Sequence, residues 1–299
     1  MTSNNKIALK KQVDSSMLFM GAIREAMHDR NYLPAEGSPA SLDNAHPHYA
    51  EAEWSGALHE QSDVQAQMSL LASIQHLSLA IEDAGCQPAA FIVLVRASLE
   101  AAASSNFLSS ASITSVAEGA RRGLNEMLHG AFQQWRALDQ YGEVADAATK
   151  LTTINQWLYK ASSYPDLGQI NRAHERRSPA APHAGDQRPT ISSMIDDLFP
   201  TGDGKRFGRW LYSAVSAPAH SSAHGFAIAG AQILLPDGSQ TIDQEAELAH
   251  DRVARFAVTG LSAVSTAAKS VFARYGWPWS DLESKLRHAC SDWLEIIEA

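Results

Sequence analysis

An arginine and a glutamate stand four residues apart inside the most apolar stretch of the chain. Arg96 and Glu100 interrupt the segment 89–108, and their spacing places both side chains on one face of a helix. A charge in such a helix must be paired or hydrogen-bonded, because a stranded charge costs several kcal/mol. We therefore expect these two side chains to pair with each other and to find further polar partners.

A second polar stripe follows on the helix predicted after residue 205. It consists of Tyr212, Ser216, His220 and His224, which recur every four residues. This spacing keeps them near one side of a helix, although Pro218 predicts a kink before the second histidine. We expect the stripe to pack against the helix of Arg96 and Glu100. Two interpretations stay open: a pocket in which arginine holds an anion while histidine and glutamate move protons, or a buried hydrogen-bond network that fixes the helix register.

These two segments resemble motifs in a group of all-helical bacterial proteins. That group carries R-x-x-L-E-A-A-A and, later, Y-x-x-x-S-x-x-x-H-G, and the matching residues here run from Arg96 to Ala103 and from Tyr212 to His220. The chain departs from the pattern because Ser221 follows the first histidine and His-Gly occurs only at His224, so either histidine could be the equivalent one. The resemblance spans roughly residues 60–275 and implies an all-helical fold, but it brings no activity with it.

Glu-x-x-His pairs raise a second hypothesis, a metal site. The three pairs are Glu25/His28, Glu126/His129 and Glu247/His250. Two such pairs with two further carboxylates build di-iron or di-manganese sites in four-helix bundles. The last two pairs lie on long predicted helices and Glu100 could add a carboxylate, so a carboxylate-bridged enzyme using iron or manganese is one alternative. Otherwise we expect no cofactor.

Arg122 and His129 raise a third hypothesis, a ribonuclease. His129 follows Arg122 by seven positions on one predicted helix face, and this spacing resembles the arginine and histidine of HEPN ribonucleases, small helical bundles of bacterial defence and toxin systems. The resemblance implies RNA cleavage by these two residues. A formal net charge of −9 argues against nucleic acid as a partner, because proteins that bind phosphates usually present a basic face.

The composition predicts an all-α fold. Hydrophobic residues make up 45% of the chain, alanine is abundant and clusters of β-branched residues are sparse. We expect residues 1–60 to form an N-terminal helix and an irregular segment, and residues 61–299 to form a single multi-helix bundle. Ser62 or Asp63 should cap its first helix. The proline-rich segment at about 165–190 predicts a mobile loop, and 231–242 predicts a short extended hairpin excursion.

The remaining expectations concern location and partners. Two cysteines, Cys86 and Cys290, are too few for a disulfide framework and suit a reducing cytoplasm. No stretch approaches the ~20 uninterrupted apolar residues of a membrane helix, so we expect no membrane. The leading hypothesis is a cytoplasmic helical bundle whose polar inter-helix pocket binds a small molecule or a protein partner. Whether the protein is an enzyme stays open, and a homodimer through an exposed helix face is compatible with this architecture.

Overall fold

The computed structural model describes residues 9–45, 50–51, 56–84, 88–171, 181–199, 204–219, 232–234, 240–242 and 250–298. Within these ranges the fold is all-α, as predicted. The helices are α1 (Lys10–His28), α2 (Pro39–Asn44), α3 (Leu58–Glu82), α4 (Pro88–Ser109), α5 (Val116–Tyr141), α6 (Val144–Ala161), α7 (Ile191–Asp196), α8 (Gly204–Ala219), α9 (His250–Tyr275) and α10 (Ser280–Glu298). Pro165–Leu167 adds one 3-10 turn.

Three short antiparallel ribbons accompany these helices. β1 (Ala50–Glu51) pairs with β2 (Gly56–Ala57), β3 (Ile170–Asn171) pairs with β4 (His183–Ala184), and β5 (Gln232–Leu234) pairs with β6 (Gln240–Ile242). The third ribbon confirms the hairpin predicted near residues 231–242.

The hydrophobic interior consists of two clusters that meet along α3. The larger cluster packs α3, α4 and α9 together and is closed by α1, α7, α8 and α10. The smaller cluster lies between α5 and α6, and the side chain of Leu58 at the start of α3 is fully buried in it. The N-terminal helix α1 belongs to the larger cluster. It is also bound to α10, because Trp293 donates a hydrogen bond to Ser16 of α1 at 2.8 Å.

Paired serines bring α3 and α4 close together. The Ser73 hydroxyl donates to the Ser98 carbonyl oxygen at 2.8 Å, and the Ser98 hydroxyl donates to the Ser73 carbonyl oxygen at 2.9 Å. Both serines are fully buried, so each hydrogen bond replaces one that water would otherwise provide. These reciprocal contacts fix the register of α4, which carries Arg96 and Glu100, against α3.

A buried arginine joins α9 to α2 and α3. Arg274 donates two hydrogen bonds to Asp63, one of them 3.1 Å long, and a third to Asp43 at 2.8 Å. Burial raises the pKa of Asp63 to about 6, despite the lowering effect of Arg274. The prediction that Ser62 or Asp63 caps α3 is wrong. The helix begins earlier, at Leu58, so both residues lie inside it, where they are buried.

The segment predicted to be a mobile loop, at about 165–190, is described in two parts, and residues 172–180 lie outside the described ranges. Within it β3 pairs with β4, and the Asn125 side chain of α5 holds the chain next to β4. Asn125 donates to the carbonyl oxygens of Ala184 and Asp186, both at 3.0 Å, and accepts from the Ala184 amide at 2.8 Å. The sequence prediction missed this docking, which ties residues 184–186 to the middle of α5.

In the part of the chain that the structure describes, two helices are long and apolar enough to cross a membrane by length and composition. They are the α4 segment Ala90–Ser109 and the whole of α9, and 56% of the apolar window in each is buried inside the fold. Core helices of soluble proteins pass the same test, so this feature is weak evidence for membrane insertion.

We predict that Arg274→Met destabilises the fold strongly. The change leaves Asp63 and Asp43 close together in the interior without a cation, and breaking a buried pair costs about 3–5 kcal/mol. Denaturant unfolding at neutral pH measures this loss. Without Arg274 the pKa of Asp63 rises further, so the carboxyl is protonated more readily. The stability deficit of the variant should therefore shrink as the pH falls from neutral toward acid.

Arg255→Met on the same helix is the matched control. Arg255 is 63% exposed and its nitrogen lies 3.8 Å from Asp251, so its loss should cost less than about 1 kcal/mol. Equal losses in the two variants, or an Arg274→Met deficit that grows in acid, would contradict the structural role given to Arg274.

Candidate ligand-binding cleft

A cleft of about 580 Å³ opens between α3, α4, α5 and α8. Its floor is made by small residues on the facing sides of α3 and α4, namely Ser69, Ala72, Ala97, Ala101 and Ser104. These positions recur at three- and four-residue intervals, so each helix presents one face to the cleft. Because these side chains are short, they leave the space of the cleft open, and the longer side chains around it form its walls.

Arg96, Glu100 and Tyr212 form one hydrogen-bonded unit in the wall of this cleft. The Arg96 Nε donates to Glu100 Oε1 at 2.8 Å, and Tyr212 donates its hydroxyl proton to the same oxygen at 3.0 Å. Arg96 Nη2 donates to the Tyr212 hydroxyl oxygen at 3.3 Å, and the guanidinium lies 5.4 Å from the centre of the Tyr212 ring. The structure thus brings together three residues that sequence analysis singled out.

This unit is partly exposed to solvent, whereas the apolar sequence around Arg96 and Glu100 led us to expect it in the interior. The side chain of Arg96 is 21% exposed and that of Glu100 is 36% exposed. Burial lowers the pKa of Arg96, but the hydrogen bond and charge of Glu100 outweigh it and the net pKa is raised. Burial, and then the charge of Glu100, raise the pKa of Tyr212, so the phenol stays protonated and serves as a donor.

The position of Tyr212 is set by contacts between α7 and α8. Thr190 caps α7 by accepting a hydrogen bond from the Ser193 amide at 3.3 Å. At the other end of α7, Asp196 accepts from the Arg209 amide at 2.8 Å and from its guanidinium at 2.5 Å. A side chain at Gly208 would lie 2.8 Å from the Asp196 backbone, so glycine lets α8 approach closely. α8 in turn packs on α4.

A second charged pair, Glu126 of α5 with Arg188 from the segment before α7, borders the same cleft together with a histidine of α5. Arg188 donates to both carboxylate oxygens of Glu126, at 2.5 and 3.2 Å, and its remaining nitrogen reaches the Pro189 carbonyl oxygen at 3.4 Å. His129, one turn after Glu126, also lines the cleft. Burial and then the charge of Arg188 lower its pKa, with Glu126 opposing them, so the imidazole is neutral at physiological pH.

The unit keeps hydrogen-bonding capacity that its own members do not use. Among the described residues, no hydrogen bond reaches Nη1 of Arg96, Oε2 of Glu100 or either ring nitrogen of His129. The cleft therefore offers a cationic donor, an anionic acceptor and a neutral imidazole to an entering molecule.

Other members of the predicted stripe do not join the cleft. Ser216 is absent from its lining, and its hydroxyl is buried without a hydrogen bond to the described part of the chain. His220 and His224 lie outside the described residues, so the proton-transfer role expected of them rests on sequence alone.

Arg122, the arginine of the nuclease hypothesis, is held by hydrogen bonds to several neighbours. It donates to Glu118, to the Phe107 carbonyl oxygen, and to the hydroxyls of Ser110 and Ser112, at 2.5 to 3.1 Å. All three guanidinium nitrogens are thus engaged, Nε with Glu118 of α5 and the two Nη atoms with the end of α4 and the loop after it. Arg122 does not line the cleft that contains His129.

The residues proposed for a metal site are only partly assembled. Glu100, Glu126 and His129 line the one cleft, yet Glu126 is bound to Arg188. His250 begins α9 and does not line the cleft, whereas Glu247 lies outside the described residues. In the ranges that the structure covers, no three His, Cys, Asp or Glu side chains are close enough to hold a metal ion.

Sequence analysis missed Arg188 and His76, which also border the cleft. Arg188 falls in a segment rich in proline and glycine, and its partner Glu126 is 62 residues away, so no local pattern signals the pair. His76 could have been found, because it lies on the same helical face as Ser69 and Ala72.

Arg96→Ala should leave the fold intact. The pair with Glu100 is partly exposed, and such pairs contribute about 0–1 kcal/mol, so the melting temperature should change little. Thermal unfolding followed by circular dichroism measures this. A loss as large as that of a buried ion pair would make the unit a structural element and remove the case for a binding site.

The pKa of His129 should lie below that of an ordinary histidine, and two charged neighbours shift this pKa in opposite directions. Glu126→Gln removes the charge that raises the pKa of His129 and should lower it, while Arg188→Gln should raise it. Histidine ring signals in NMR, assigned with His129→Gln, report the midpoint. Because the folded-state pKa lies below the ordinary 6.5, the unfolded chain takes this proton first, so stability falls as the pH drops below 6.5. Shifts of the same sign in both variants would contradict this arrangement.

Comparison of the chain with protein-family models, with curated proteins and with solved structures found no significant match. The resemblance to the helical bacterial group therefore stays a prediction from short motifs.

Proposed function

We propose that this protein binds a small polar molecule of near-zero net charge in the cleft beside Arg96 and Glu100. One observation carries the proposal. Arg96 and Glu100 are joined by one hydrogen bond. Each also has one atom of its charged group, Nη1 of Arg96 and Oε2 of Glu100, without a partner among the described residues. A donor and an acceptor of opposite charge, held side by side, match a zwitterion or an amide.

The charges around the cleft support a ligand without large net charge. Arg96 and Arg188 are balanced by Glu100 and Glu126, and the lowered pKa of His129 keeps it neutral. A strongly anionic ligand would meet two carboxylates and a strongly cationic one two guanidinium groups, and like charges at short range repel. A molecule that carries both signs avoids either cost.

The size and exposure of the site also support ligand binding over a purely structural role. A volume of about 580 Å³ falls within the range of roughly 300–1,000 Å³ typical of small-molecule sites. Helix register is already fixed by the fully buried Ser73 and Ser98, whereas the side chain of Glu100 stays 36% exposed. The serine contact is closed to water, whereas the cleft leaves Glu100 accessible to an entering molecule.

We place this binding activity in the cytoplasm. The chain has only two cysteines, and the two described helices that are long and apolar enough to cross a membrane have more than half of their apolar windows inside the fold. Both features suit a packed protein in a reducing compartment.

Wild-type protein should be stabilised thermally by a zwitterion, with glycyl-glycine and glutamine as the probes, and less by inorganic phosphate or putrescine. The stabilisation should vanish in Arg96→Ala and Glu100→Gln, because each removes one half of the donor and acceptor pair. Differential scanning fluorimetry over a range of probe concentrations measures the shift, and titration calorimetry gives the affinity.

Arg255→Ala serves as the control, since it removes an exposed arginine far along the chain on α9. Two outcomes would contradict the proposal. One is that neither zwitterion stabilises the wild type, and the other is that a zwitterion stabilises wild type and Arg96→Ala equally.

A further inference from the structure

A second cavity of about 630 Å³ adjoins the cleft along α3 and α5. The two share Gln65 and Glu126 as lining residues, so they form neighbouring lobes of one trough. We call the lobe beside Arg96 the polar lobe and the lobe beside Trp157 the apolar lobe.

The apolar lobe has walls of a different character. Val64, Met127, Ala131 and Trp157 provide its hydrophobic surface. Glu60, Glu126 and Lys150 also line it, beside three glutamines, and Arg188 neutralises Glu126 while Glu60 and Lys150 carry one charge of each sign. The lobe therefore suits an uncharged, apolar group rather than a second charged one.

A glycine keeps the apolar lobe open. Gly130 lies inside α5, where glycine costs up to about 1 kcal/mol relative to alanine. A side chain at this position would meet no atom within 4 Å, so packing does not demand glycine there. By contrast, a side chain at Gly123 would lie 2.6 Å from the Leu58 carbonyl oxygen, so glycine at that position has a packing reason. The space in front of Gly130 is part of the cavity.

We propose that the ligand is a zwitterion with an apolar arm, of the class of hydrophobic amino acids and short peptides. This inference rests on the proposed function, since the charged head would lie against Arg96 and Glu100 in the polar lobe. The apolar arm extends past Glu126 into the apolar lobe, against Met127 and Trp157. Glu126 stands at the boundary with its charge neutralised by Arg188, so an apolar group passes it at lower cost than a free carboxylate would impose.

Titration calorimetry with two peptides separates the lobes. Glycyl-glycine carries the head alone, and glycyl-tryptophan adds a large apolar arm. We expect the wild type to bind glycyl-tryptophan about tenfold or more tightly than glycyl-glycine, because apolar contacts in a pocket are worth that much. Gly130→Leu fills the apolar lobe and should remove this advantage while leaving glycyl-glycine binding unchanged.

Two further variants keep the test decisive. Gly21→Leu on α1 is the matched control, since a side chain there also meets no atom within 4 Å and Gly21 lines neither lobe, so both affinities should stay unchanged. Val64→Asp puts a charge on the apolar wall at a position that is 58% exposed, so it should weaken glycyl-tryptophan alone without unfolding the chain.

The outcomes distinguish this inference from the proposed function. If both peptides bind equally and Arg96→Ala weakens both, the polar lobe is a binding site, and the inference that the ligand has an apolar arm in the second lobe is wrong. If Gly130→Leu and Val64→Asp leave the preference for glycyl-tryptophan intact, the apolar lobe is not where the arm lies, and the inference fails. Loss of glycyl-tryptophan preference in both variants, with glycyl-glycine unaffected, supports it.

Discussion

One buried guanidinium determines where α3 lies, and the cleft depends on α3. Arg274 of α9 holds Asp63 in the second turn of α3 and Asp43 of α2. Burial raises the pKa of Asp63 to about 6, because taking this carboxylate out of water is expensive even beside its cation. Loss of Arg274 would cost more, since an unpaired buried charge is strongly destabilising. The pair holds α3 against α9 with one face opposite α4 and α5, and both lobes of the trough lie along that face.

The arginines of this protein differ in how fully their donors are used. Arg122 engages all three guanidinium nitrogens with Glu118 and the end of α4, and Arg188 engages all three with Glu126 and Pro189. A guanidinium has five N–H groups in a rigid plane, so such use fixes neighbouring backbone and side chains firmly. Arg96 is different, because it faces an open cleft and keeps one nitrogen unengaged among the described residues. That contrast separates arginines that stabilise the fold from one available for recognition.

Much of the fold and part of the site could be predicted from the sequence. Periodicity and turn residues gave the helices and the 232–242 ribbon, and the rule that charges in an apolar helix must be paired led to Arg96, Glu100 and Tyr212. The same local rules failed where partners are distant in sequence. Asp63 looked like a helix cap because acidic residues favour that position, yet its partner Arg274 is 211 residues away. Arg188 stood in a segment whose prolines suggested a mobile loop, and the amide of Asn125 that anchors this segment carries no recognisable pattern.

The anchoring by Asn125 has a consequence for how the chain can vary. Its amide group contacts main-chain atoms of Ala184 and Asp186, not their side chains. Every residue type has the same carbonyl oxygen, and every type except proline has the same amide proton. The docking itself therefore makes no demand on the side chains of these residues. Packing still restricts two of them, because Ala184 is fully buried and Gly185 has a positive φ with no room for a side chain. Asp186, whose side chain is 90% exposed, can vary, and the anchor then still holds the chain just before Arg188 at the border of the cleft.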